Sequence, residues 1–165
     1  MIKAVMIINT EGKARFAKFY EFMSAEKQQE RIRSCYGVLS SRPEKASNFV
    51  DVESIFGPDS RLVYKHYATL YLAFVFDSSE NELAMLDLIH VFVETLDKCF
   101  RNVCEVDIVY NYNKLHIVLD EMIFGGQVIE TSITEILRAA DEISNLEADS
   151  NSISFAKTVS QWRNR

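Results

Sequence analysis

Three histidines, three cysteines and twenty-four carboxylates are the groups with which this chain of 165 residues could do chemistry. His66, His90 and His116 are scattered, and no Gly-x-Ser-x-Gly, Walker loop or dinucleotide fingerprint accompanies them. Asp87, His90 and Glu94 step by three and four, the spacing that puts side chains on one face of a helix. A metal ion needs three or four converging ligands held by outer hydrogen bonds, and no motif supplies the rest. The trio therefore reads as a solvated polar stripe. Four residues separate Cys99 from Cys104, the wrong spacing for a Cys-x-x-Cys redox pair, and neither has a histidine close by. Both read as buried small hydrophobes. The expectation is a non-enzymatic binding protein with no metal and no cofactor.

Composition narrows the partners. The formal net charge is -6, and Lys and Arg do not cluster among aromatics, so a nucleic-acid backbone would be repelled. The apolar run Ala4 to Ile8 is too short, and too soon followed by Glu11 and Lys13, for the core of a signal peptide. No window approaches the roughly 20 apolar residues of a membrane span. The odd cysteine count, Cys35 included, fits a reduced cytosolic protein. Residue 2 is Ile and not the Gly that myristoylation requires, so membrane contact is expected to come through partners.

The elements that would position any site follow from periodicity. Ile2 to Asn9 is an apolar run ended by turn residues, as in a strand buried on both faces, and Ala14 to Phe19 alternates behind it, which predicts a hairpin. Ser24 is the expected cap of a polar-faced helix running towards Tyr36 and Gly37. Three more strands are expected over Asn48 to Phe56, Leu62 to His66 and Leu70 to Phe76, the first two joined by the turn Gly57-Pro58-Asp59-Ser60.

A helix follows from about Asn81 to Phe100. Its apolar residues form two stripes, Leu86, Ile89, Val93, Leu96, Phe100 and Met85, Leu88, Phe92, Thr95, Cys99. That is more than the arc of about 100° needed to lie on one sheet, so the second stripe is expected to be covered in part by the segments that follow, Val106 to Tyr110 and Leu115 to Phe124, and for the remainder by another subunit. Val106 to Tyr110 and Leu115 to Phe124 read as short packed helices, and Ser132 to Leu146 as a last amphipathic helix. Asp149-Ser150-Asn151-Ser152 is expected to break it, leaving a flexible tail over 148–165 in which Trp162 is exposed. The fold class is α+β, an antiparallel five-stranded sheet with packed helices and extra C-terminal helices in one domain, 1–147.

Leu62-Val63-Tyr64-Lys65, then four residues, then Leu70-Tyr71, closely resembles the signature of the clathrin-adaptor small chains, the sigma subunits of heterotetrameric adaptor-protein complexes. The resemblance is nearly continuous to Glu147. It takes in Met1-Ile2-Lys3, Gly12-Lys13-Ala14-Arg15, Asn48-Phe49-Val50, Phe92-Val93-Glu94, Asn102-Val103-Cys104-Glu105 and Asp120-Glu121-Met122 ahead of Gly125-Gly126. The long turn from Phe56 to Ser60 and the wording Leu86-Asp87-Leu88-Ile89 and Thr95 to Phe100 resemble the branch of adaptor-protein complex 3. Leu72 departs from the pattern, standing where the signature has an aromatic residue.

The resemblance implies a longin-like fold and a place in a cytosolic coat with two large subunits and a medium subunit. It also implies recruitment by an Arf-type GTPase to Golgi, endosome or vesicle membranes, and cargo tails carrying acidic dileucine signals. Carried over residue by residue, the pocket for the two leucines falls on Ala68, Leu70, Val93, Val103, Cys104 and Ile108, with Asn102 at the rim. Arg15 falls where the family places a base for the signal's acidic residue. Ordinary core packing is the competing reading of Leu70, Val93 and Ile108, and a solvated charge that of Arg15. A sigma subunit of another adaptor complex, or a longin-type scaffold that binds no cargo, would share much of this pattern.

Overall fold

The computed structural model describes the backbone of residues 1–163 and the side chains of residues 1–153. Five strands form one antiparallel sheet: β1 (Ile2–Asn9), β2 (Ala14–Phe19), β3 (Phe49–Asp51), β4 (Ser60–Tyr67) and β5 (Leu70–Asp77), in the order β2-β1-β5-β4-β3. β1 is an interior strand whose residues from Ala4 to Ile8 are all apolar, so it fills both faces. Ala4, Met6 and Ile8 pack on one side and Ile2, Val5 and Ile7 on the other. Ile2 and Val5 can share a face because the pairing with β5 slips between Ile2 and Ala4, which resets the alternation.

One face is covered by α1 (Ala25–Ser40), which begins where Ser24 accepts a hydrogen bond from the Lys27 N–H. Only Ile32, Cys35 and Leu39 of α1 are buried, as its polar composition requires. Burial pushes the Cys35 thiol up to about 12 and leaves it protonated. Tyr36, on the same helix, donates to the Thr10 carbonyl at 2.7 Å and lies against Gly12. A Cβ at Gly12, whose φ is +87°, would come within 2.7 Å of that ring, so the β1–β2 turn admits glycine alone without strain.

The other face carries α3 (Glu82–Phe100), α5 (Tyr112–Met122) and the long α6 (Ile133–Arg163). α4 (Glu105–Tyr110) packs beside β2. Asn81 caps α3 by accepting from the Ala84 N–H.

Four sequence expectations are corrected. Asn48 to Phe56 is not one strand: after Asp51 the chain turns into the short helix α2 (Glu53–Phe56), whose first N–H is taken by the Asp51 carboxylate. Ile123 and Phe124 leave α5 as the strand β6 (Ile123–Phe124), paired with β7 (Gln127–Val128) across Gly125-Gly126. The second stripe of α3 is not left for another subunit. Met85, Leu88, Phe92 and Thr95 are at most 3% exposed, covered by the sheet and by α5 and α6 of the same chain. Lastly, Asp149 to Ser152 do not break the final helix, which continues to Arg163. No glycine or proline stands there, and Ser150 and Ser152 return their hydroxyls to the carbonyls of Glu147 and Asp149. Trp162 lies outside the described side chains.

Candidate functional site

The residues expected to form a cargo pocket separate into two groups. Leu70 at the start of β5, Val93 on α3, Val103 in the α3–α4 link and Ile108 on α4 belong to one buried cluster and are 1–6% exposed. Between Val93 and Val103, α3 ends abruptly. Arg101 and Asn102 take positive φ of 51° and 71°, which turns the chain back towards the sheet. Asp97 holds that reversal, its carboxylate accepting the Val103 N–H at 2.9 Å and the Tyr67 hydroxyl at 2.9 Å. The hydrogen bond to Asp97, with some burial, raises the Tyr67 pKa above its ordinary value.

Ala68, Asn102 and Cys104 do not join this cluster; all three are exposed. Ala68 occupies the β4–β5 turn with φ +52°, and Cys104 stands at the start of α4, its N–H donated to Asp107 at 3.0 Å. Cys104 is therefore not the buried small hydrophobe expected of it: it is the exposed cap residue before α4. Cys99 is half-buried, and burial raises its thiol pKa.

Arg15 stands at the other side of the α4 helix start. Its Nε donates to Glu105 Oε1 at 2.5 Å, and Asn9 Nδ2 donates to the same oxygen at 2.9 Å. Asn9, only 3% exposed, also accepts the Glu11 and Lys13 N–H groups, so one side chain both shapes the β1–β2 turn and reaches α4. The Asn9 and Arg15 hydrogen bonds, opposed by slight burial, hold the Glu105 carboxyl below its ordinary value. Arg15 is thus a paired cation, not the freely solvated charge that its place beside a turn suggested.

Beside the Arg15–Glu105 pair runs an open groove of about 510 Å³, lined by Asn9, Thr10, Arg15, Thr69, Glu105, Val106, Val109 and Tyr110, among others, and by none of the buried quartet. Its apolar side is exposed, with Val106 59%, Val109 46% and Tyr110 84% accessible. The Thr10 N–H donates to the Thr69 carbonyl at 3.1 Å, tying the two hairpin turns that form the opposite wall. Sequence reasoning missed Glu105, the α4 apolar trio and Asp97. Glu105 directly follows Cys104 in the quoted motif, and its negative charge next to a basic residue's expected site was the available signal.

The remaining chemistry-bearing residues do not assemble. Asp87, His90 and Glu94 are exposed on α3, with Glu94 paired to Lys98 at 3.2 Å. His66 stacks on Tyr71, and His116 packs between Phe16 and Tyr112. Among the described residues no cluster of three His, Cys, Asp or Glu could hold a metal, and no helix is long and apolar enough to cross a membrane.

The arrangement is a closed apolar cluster and, apart from it, a paired cation at the edge of an open groove, on a five-stranded sheet with helices. The chain belongs to the clathrin adaptor complex small chain family, whose model matches residues 1–147, and with it to non-enzymatic adaptor subunits. Among its relatives, the AP-3 complex subunit sigma of Arabidopsis thaliana is 69% identical, with 100% of both chains covered. The AP-3 complex subunit sigma of Dictyostelium discoideum is 47% identical over 92% of this chain and 90% of its own. The AP-3 complex subunit sigma-2 of Homo sapiens is 42% identical over 99% and 86%. Among structures, a chain in a homology model of the full-length AP-3 complex in a stretched open conformation superposes with a TM-score of 0.72. It shares 36% identity and covers 92% of this chain and 98% of that one.

Proposed function

We propose that this chain is the small subunit of an AP-3-type adaptor complex and supplies one half of a receptor for acidic dileucine signals. Its partners are two large subunits and a medium subunit, and an Arf-type GTPase brings the complex to Golgi, endosomal or vesicle membranes from the cytoplasm. The likeness along the whole chain to proteins named AP-3 complex subunit sigma supports the assembly role. The observation that carries the cargo role is that Leu70, Val93, Val103 and Ile108 share one buried apolar cluster while Arg15 is held at the start of α4, the helix that carries Ile108.

Two leucine side chains entering such a site gain about 1.5 to 3 kcal/mol each when fully desolvated. The acidic residue adds specificity and on-rate more than affinity, because its partner is about a quarter exposed. In this reading the signal's leucines displace part of the buried quartet, and Ala68, Asn102 and Cys104 frame the entrance. The test is titration of a fluorescent Glu-x-x-x-Leu-Leu peptide into the chain co-expressed with a large subunit, comparing the native sequence with Val93→Asp. Binding lost in a Val93→Asp pair that still assembles supports the receptor. Two assembled pairs that both ignore the peptide leave a scaffold.

A further inference from the structure

The base at this site already has an anion. We infer that Glu105 is an internal stand-in for the acidic residue of the signal, closing Arg15 off until a cargo tail displaces it; this rests on the receptor reading above. Glu105 Oε1 takes Arg15 Nε at 2.5 Å and Asn9 Nδ2 at 2.9 Å, the contacts an incoming carboxylate would seek. The contact is built, not incidental. Asn9 is nearly fully buried and fixed by two backbone donors, so its amide is aimed at α4 before any ligand arrives. Glu105 sits in the first turn of α4, where a carboxylate is favoured by the unpaired N–H groups at a helix start.

The groups facing this contact are few. Lys13 and Arg15 come from the β1–β2 hairpin, Asp107 shares the first turn of α4 with Glu105, and Glu11 lines the groove. With Glu105 in place a dileucine tail must compete with that carboxylate for the Arg15 charge, and pass a second one, Glu11, at the groove. Rotation of the Glu105 side chain away from Arg15 opens the base and leaves its Asn9 anchor the choice of the incoming acid. The clasp therefore sets a threshold: tails with a well-placed acidic residue pass it, and tails with a neutral residue gain nothing from Arg15.

Two measurements on the chain co-expressed with its large subunit test this. The first is the rate at which an arginine-specific dicarbonyl reagent modifies Arg15, read by mass spectrometry, in the native sequence and in Glu105→Gln. Gln keeps an oxygen for Asn9 and removes the charge, so the fold is retained while Arg15 reacts faster. Equal rates overturn the inference whether or not any peptide binds. The second is affinity for fluorescent Glu-x-x-x-Leu-Leu and Gln-x-x-x-Leu-Leu peptides. Glu105→Gln is expected to tighten the Glu peptide by about two- to fivefold, the range of a partly exposed ion pair, and to leave the Gln peptide unchanged. Equal tightening of both peptides, or none of either, overturns the competitor role. Faster Arg15 modification with no peptide bound by either form removes the receptor reading and the competitor with it, while the clasp itself stands.

Discussion

The two halves of the candidate site are built on opposite plans. The quartet of Leu70, Val93, Val103 and Ile108 is closed and part of the central core, whereas the rim of Arg15, Glu105, Val106, Val109 and Tyr110 is open to solvent. The quartet borrows its rigidity from the fold, since each member is also a brick of the β5–α3–α4 packing. The rim depends on a few polar contacts around one turn. In the proposed receptor this division would couple binding to local opening, the apolar half opening at a cost and the polar half deciding which ligand arrives to meet it.

The largest effects are expected where the closed half is broken. Leu70→Ala removes a fully buried side chain and should lower stability by about 2 to 5 kcal/mol, read as a shift of the denaturant midpoint of the assembled pair. A smaller loss follows from Asp97→Ala, which strands the Val103 N–H and the Tyr67 hydroxyl. It should cost about 1 to 3 kcal/mol and lower the Tyr67 pKa towards that of a free phenol, visible in an ultraviolet pH titration. Tyr110→Ser sits at the other end of the scale, expected within about 0.5 kcal/mol in stability because the side chain is exposed, while peptide affinity falls if the groove is used.

Acid sharpens the contrast further. The folded Glu105 carboxyl binds its proton at lower pH than in the unfolded chain, so the clasp's contribution is complete above the ordinary carboxylate range. It is lost as pH falls through the depressed value. The Arg15 Nε–H resonance should therefore hold constant near neutrality and move only at low pH. Asp77 behaves alike at a distance: burial raises it, but hydrogen bonds from the N-terminal ammonium at 2.6 Å and from Ser79 outweigh that and bring it to about 2.

Much of the frame was legible. β1 and β5 announce themselves as unbroken apolar runs, Ser24 and Asn81 cap the helices they precede, and the α+β arrangement follows from five strands with an inserted helix. The misreadings share one cause, that local pattern does not say what covers a surface. The part of the second stripe of α3 expected to meet another subunit is covered instead by α6, which comes much later in the chain. Asp149 to Ser152 looked like a breaker although nothing in those residues forbids a helix. At the site, the quartet was nameable from the motif, but its closure, the exposure of Ala68 and Cys104 and the Arg15–Glu105 pair are tertiary facts. The left-handed turn at Arg101-Asn102 is another, which Asn tolerates but Arg does not announce.

The central claim is that the closed quartet opens to receive leucine side chains beside Arg15. A Glu-x-x-x-Leu-Leu peptide carrying a photoreactive group at the first leucine, crosslinked to the chain in complex with its large subunit and mapped by mass spectrometry, addresses it directly. The account predicts adducts on the peptides that contain Leu70, Val93 and Val103 to Ile108, diminished by Val93→Asp. Adducts confined to the exposed α4 trio, or to the large subunit, would contradict it.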